Sequence, residues 1–137
     1  MSLKIKVDQK ESGVFVITMV GSIDTETYGS LDKAVSKILD SYPKGIIFNM
    51  EGVSYVSSMG LSVMFKTKKS IEKIKGALIM TNLRPQIKKV FDSVKFMPTS
   101  TFENLTEANK YLDDFLRFIQ REKEEPVEYP FMEYGDI

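Results

Sequence analysis

Apolar and polar residues alternate at the start of the chain, where Leu3, Ile5 and Val7 are separated by Lys4 and Lys6 up to Ser12-Gly13. A period of two marks a strand with one covered face. Residues 14–20 follow as an apolar run rich in β-branched side chains, closed by Gly21. The short Ser-Gly link predicts that the two strands form a hairpin. Beyond Gly21 the period becomes helical: Leu31, Ala34, Val35, Ile38 and Leu39 fall on one stripe. Asp24 and Thr25 stand where caps for that helix are expected, and Pro43 and Gly45 where it stops.

Ile46-Ile47-Phe48-Asn49-Met50 reads as a short buried strand, followed by the segment 51–57. From Ser58 the pattern is helical again. Leu61, Met64 and Phe65 share a face, Ile71 stays near it and Ile74 drifts off, while Lys66, Lys69 and Lys73 line another side. Gly76 closes this helix, and Ala77-Leu78-Ile79-Met80-Thr81 gives a further buried strand. Pro85 suits the first turn of a short helix with the stripe Ile87, Val90, Phe91 and Val94, followed by a brief apolar stretch to Met97.

Asn104 and Glu107 form a capping signature for a last helix carrying Ala108, Tyr111, Leu112, Phe115, Leu116 and Ile119. The pattern ends after Arg121. The expected organisation is therefore one domain, 1–121, and an acidic, aromatic C-terminal tail, 122–137, either solvated or adhering to the domain or to a second copy. The order ββαβαβα predicts an α/β fold with a mixed sheet: an antiparallel N-terminal hairpin, then parallel strands, with helices packed against them.

At 137 residues, 42% hydrophobic and 28% charged, the chain can build one core without staples. It contains neither Cys nor His, which excludes disulfides and thiolate metal sites and removes the commonest general base. No acidic run has EF-hand spacing, so neither metal nor cofactor is expected. Nineteen basic residues balance nineteen acidic ones, so no global field favours nucleic acid or anionic lipid. The N-terminus has no apolar signal region and the apolar runs are far too short to span a bilayer, which makes the cytoplasm the expected address.

Two corners are polar where a strand meets a helix: Ser22-Ile23-Asp24-Thr25 and Ser54-Tyr55-Val56-Ser57-Ser58-Met59-Gly60. In open α/β sheets, such corners are where function gathers. Either Ser57 or Ser58 serves only as a helix cap, or one caps while its neighbour is presented to solvent. A presented hydroxyl at a helix N-terminus could accept a phosphoryl group. Catalysis fits poorly, because a serine nucleophile needs a base and the chain has no GxSxG elbow, no SxxK pair at either serine and no phosphate loop. The lysines from Lys66 to Lys75 read as a solvated face or an acidic partner's surface, and Met59 as a gap-filler or an adaptable contact.

These corners resemble the STAS domains of bacterial anti-sigma factor antagonists, a likeness that runs from about residue 3 to 116. It is carried by Gly21-Ser22-Ile23-Asp24, by Gly45-Ile46-Ile47-Phe48-Asn49-Met50, by the stretch from Val53 to Leu61, and by Leu83-Arg84-Pro85 through Phe91. The family's motif is Asp-Ser-Ser/Thr-Gly-Leu, whose first serine is phosphorylated. Matched residue by residue, Ser58 takes that position, with Ser57 the alternative acceptor, and Gly60 takes the glycine. Ser57 stands where the family usually has aspartate, Met59 replaces a small hydroxyl residue and Ser62 stands where glycine is frequent.

The resemblance implies a protein-binding switch without enzymatic activity of its own. The unmodified chain would sequester an anti-sigma factor, often itself a serine kinase. Phosphorylation would release it and a phosphatase would reset it. Ser22, Asp24, Thr25, Ser57, Ser58, Met59 and Gly60 would form the docking surface. Two other readings stay open: a STAS adaptor or assembly subunit that is never phosphorylated, and, with least support, a small enzyme or nucleotide-binding regulator.

Overall fold

The N-terminal hairpin forms because its two strands are patterned for different surroundings. Leu3–Lys10 (β1) alternates and is largely exposed, whereas Val14–Ile23 (β2) is mostly buried. They pair antiparallel from Leu3↔Gly21 to Lys10↔Val14. The computed structural model describes residues 2–10, 13–96 and 100–102, together with the helical residues 106–108, 110, 111, 114 and 117. The expected helical positions Asn104, Leu112, Phe115, Leu116 and Ile119, as well as the tail 122–137, lie outside the described residues.

Gly45–Val56 (β3), Ala77–Thr81 (β4) and Ser100–Phe102 (β5) complete a five-stranded sheet in the order β1-β2-β3-β4-β5. Every pairing after the hairpin is parallel. This is the mixed sheet that the alternation of strand and helix predicts. β5 is new: three residues are too few to display a period.

Three helices lie along one face: Tyr28–Leu39 (α1), Ser58–Lys73 (α2) and Pro85–Ser93 (α3). Between them and the sheet sits the main core, built on Ile17, Met19, Phe48, Met50, Leu78 and Met80 from the strands and on Leu31, Met64, Ile71, Ile87 and Phe91 from the helices. On the opposite face Val14, Val16, Ile47, Ala77 and Ile79 form a smaller cluster with Ala108 and Tyr111 of the last helical segment.

Three expectations about helix placement are corrected. α1 begins at Tyr28 with Thr27 at its N-cap position, so Asp24 and Thr25 lie in the turn before it. In α2 the buried face is Gly60, Val63, Met64, Thr67 and Ile71; of the expected stripe Met64 is buried with Ile71 near it, Leu61 is half-buried against the core, and Phe65 lies outside it. Thr67 is tolerated in the core because its hydroxyl donates to the Val63 carbonyl at 2.7 Å. Phe65 is 43% exposed, and its ring meets that of Phe96 edge-on, with centroids 5.0 Å apart. In α3, Ile87 and Phe91 are buried as expected, but Val94 lies beyond the helix and is exposed.

β3 is longer than the five-residue run that its apolar content suggests. It spans 12 residues, and its register against β2 shifts between Thr18 and Val20 and again between Gly21 and Ser22. Each shift adds one residue on the β3 side, as in a β-bulge, which re-aims the end of the strand. The segment 51–57 is therefore mostly strand and carries its side chains directly to the N-terminus of α2.

Candidate functional site

At the end of β2 the chain turns by means of its own side chains. The Asp24 carboxylate accepts the N–H groups of Glu26 at 2.9 Å and Thr27 at 3.0 Å. The Thr27 hydroxyl donates to the Ser22 carbonyl at 2.7 Å and receives the Asp24 N–H at 2.9 Å. Partial desolvation opposes ionisation of Asp24, but these N–H donors and the nearby Thr27 hydroxyl outweigh it and hold the carboxyl below its ordinary value. The acid is thus a structural pin for the turn, and it leaves Thr25 and Glu26 exposed at the tip.

The second corner is anchored on the first. The Ser57 N–H donates to the Ile23 carbonyl at 2.8 Å, joining the start of α2 to the last residue of β2. Ser57 has extended backbone angles and its hydroxyl accepts the Gly60 N–H at 3.2 Å, so Ser57 is the N-cap. Ser58, the first residue of the helix, is exposed; Met59 is half-buried. Gly60 is buried: a Cβ there would come within 2.7 Å of Ile23 Cγ2 and 2.9 Å of the Ile23 carbonyl oxygen. The glycine lets α2 sit directly on the end of β2.

Of the seven residues picked out from the sequence, Asp24, Thr25, Ser57, Ser58 and Met59 come together around one edge of the molecule with surface to offer. Ser22 and Gly60 lie inside the fold, a correction to their expected role as contact residues. Ser22 is only 1% exposed and its hydroxyl pairs with that of Ser54 at 3.4 Å, because the second bulge in β3 turns Ser54 over it. Both residues support the corner from within. Tyr55, part of the second corner but not among those seven, pairs in register with Ser22 and is 54% exposed. A single large aromatic at a strand end gives no period by which to place it.

The first turn of α2 contains no acidic side chain, so no fixed anion there offsets the positive end of the helix dipole. On the outer surface α2 is braced to α1 by Lys66 and Asp32 at 2.8 Å. Among the described residues no group of three or more acidic side chains could hold a metal ion, and no helix is long and apolar enough to cross a membrane.

A mixed sheet ending in two mutually anchored polar corners, one of them presenting a hydroxyl on a helix N-terminus, defines an α/β domain built around a surface corner. Residues 6–108 match the model of the STAS domain, and the chain belongs to that family. It is 23% identical over 106 residues to BtrV of Bordetella bronchiseptica, named as a candidate anti-sigma factor antagonist, spanning 77% of this chain and 90% of that one. It is 29% identical over 77 residues to the anti-sigma F factor antagonist of Lysinibacillus sphaericus, spanning 56% of this chain and 66% of its relative. Among solved structures, unphosphorylated SpoIIAA, an anti-sigma factor antagonist, superposes with a TM-score of 0.64 at 23% identity, covering 83% of this chain and 98% of its own. Its phosphorylated form, described as a Bacillus cell fate determinant, gives 0.67 at 22% identity over 80% of this chain and 99% of that one. At these identities the structural likeness is one of fold.

Proposed function

We propose that this chain is an anti-sigma factor antagonist: a protein-binding switch that sequesters an anti-sigma factor and is turned off by phosphorylation of Ser58. The observation that carries the reading is the division of labour between adjacent serines. Ser57 spends its hydroxyl on the Gly60 N–H, and Ser58 is left exposed at the first helical position. Docking uses the Asp24–Thr25 turn, Tyr55, Ser58 and Met59, supported by Ser22 and Gly60. A phosphoryl group there adds about −1.5 to −2 charges in the middle of that surface. The helix N-terminus accepts the charge, so the fold survives while the packed partner must desolvate it. Relatives named as anti-sigma factor antagonists support the choice of partner.

The same site argues for binding rather than turnover, since the exposed hydroxyl has neither His nor Cys anywhere in the chain to activate it. The chain would work in the cytoplasm, with the partner kinase and an opposing phosphatase setting the phosphorylated fraction.

The test is the affinity of wild type, Ser58→Ala and Ser58→Asp for the anti-sigma partner, with phosphate mapped on wild type after incubation with that partner and ATP. The expected result is phosphate on Ser58, normal binding by Ser58→Ala and at least tenfold weaker binding by Ser58→Asp, about 1.4 kcal/mol. Equal affinities without phosphate would favour the constitutive adaptor, the reading to which Ser57 in place of aspartate and Met59 in place of a hydroxyl residue point.

A further inference from the structure

The sheet face opposite α1, α2 and α3 is covered along only part of its width. Ala108 and Tyr111 pack over Val14, Val16, Ile47, Ala77 and Ile79. Nothing described lies over the strip beside them. Antiparallel partners point to the same side of a sheet, and Lys4, Lys6 and Lys10 pair with Val20, Thr18 and Val14. Val14 belongs to the cluster on this face, so the three lysines and Val20 share its side. All three lysines are exposed, and Val20 is 54% exposed beside Lys4. The strip is therefore a cationic row flanked by an uncovered apolar side chain, and the one acid within it, Asp8, lies 3.8 Å from Lys6 in a loose, solvated pair.

We propose that this strip is the docking site of the chain's own residues 124–137. That segment carries Glu124, Glu125, Glu128, Glu133 and Asp136 with no Lys or Arg, and intersperses Val127, Tyr129, Phe131 and Met132 among them. Its charge is opposite to that of the lysine row, and its apolar residues match the exposed Val20. The reach is sufficient. The last described residue, Arg117, belongs to the helical segment that already packs on this face. Fourteen extended residues span about 45 Å, against about 20 Å for the row from Lys10 to Lys4 and about 10 Å for two strand spacings.

Pro126 and Pro130 lack the N–H that a ladder needs. The segment therefore lies over the lysine side chains instead of adding a strand to the edge of β1. The lysines of α2 compete poorly for it. They lie on the other side of the sheet, and Lys66 and Lys68 are already paired with Asp32 and Glu72.

The experiment uses the full chain. A water-soluble carbodiimide couples carboxylates to lysines in direct contact, and the products are digested and mapped by mass spectrometry. Expected are links from Lys4, Lys6 or Lys10 to Glu124, Glu125 or Glu128 within monomeric protein, suppressed in 1 M salt, where the screening length falls to about 3 Å. Links to Lys69 or Lys73 instead, links that join two chains, or no link to the β1 lysines would overturn the proposal. As a second measurement, Lys4→Glu/Lys6→Glu/Lys10→Glu is expected to be cut by chymotrypsin after Phe131 and Tyr134 at least threefold faster than wild type. Lys69→Glu/Lys73→Glu is expected to be cut at the wild-type rate. Equal rates for a folded triple variant count against the site, and if that variant fails to fold the cross-link map decides.

Discussion

The N–H of Ser57 donates to the carbonyl of Ile23 at 2.8 Å, and through that bond the two polar corners of the sheet become one object. Gly60 rests on the same Ile23, so the first turn of α2 is held from two directions. A charge placed on Ser58 meets a helix that has little room to shift away, and its effect is expected at the surface rather than in the fold.

Gly60→Ala is accordingly expected to destabilise the protein. The added methyl would need to displace Ile23 Cγ2 and a backbone carbonyl, and overpacking of this kind costs about 1–3 kcal/mol. Thermal melting of the variant checks this, and an unchanged midpoint would mean that α2 can lift off β2 freely.

Ser57→Ala and Ser58→Ala should separate cleanly in urea unfolding. The first removes the hydroxyl that caps Gly60, a loss of about 1 kcal/mol. The second removes an exposed hydroxyl and is expected to stay within about 0.5 kcal/mol of wild type. Equal losses would indicate that the two serines share the cap.

The Asp24 carboxyl titrates below its ordinary value of 3.8. A lowered folded-state value means that the ionised form is the one the fold prefers. Its contribution is complete above pH 3.8 and is lost as the pH falls through the lower folded value. Asp24→Ala is expected to be less stable than wild type at neutral pH and to converge on it in acid. Urea midpoints for both proteins across that range provide the measurement, and parallel curves would refute the assignment.

Much of the fold is legible in the chain because its patterns report burial directly. The alternation of Leu3, Ile5 and Val7 gives the hairpin, and the runs at 46–50 and 77–81 give the parallel strands. The helix stripes are less secure. Phe65 falls in the same arc of a helical wheel as Leu61 and Met64, yet it is exposed while Met64 is buried; small Gly60 and hydroxyl-bearing Thr67 share the inward face with Val63 and Ile71, and neither registers as apolar. The corner was legible at Ser57 and Ser58 through the motif. It was not legible at Ser22, whose burial depends on bulges that a one-dimensional pattern does not record.

The corrected face of α2 can be measured. Met64 is fully buried, so Met64→Ala is expected to cost about 2–5 kcal/mol. Phe65→Ala gives up one edge-on contact with Phe96 and a half-exposed ring, and should cost clearly less despite the larger side chain removed. The reverse order in denaturant unfolding would restore the register that the sequence suggests.

The two extra residues in β3 have a consequence for how such a domain can diversify. Met50, Val53 and Val56 keep their places in the core, while Glu51, Ser54 and Tyr55 are thrown outward between them. The slack belongs to one strand only, so Glu51 and Tyr55 can be exchanged without disturbing the inward residues or the register of β3 with β4, while Ser54 stays as the partner of the buried Ser22 hydroxyl. A change of partner preference can therefore be written into this short stretch while the rest of the architecture stays as it is.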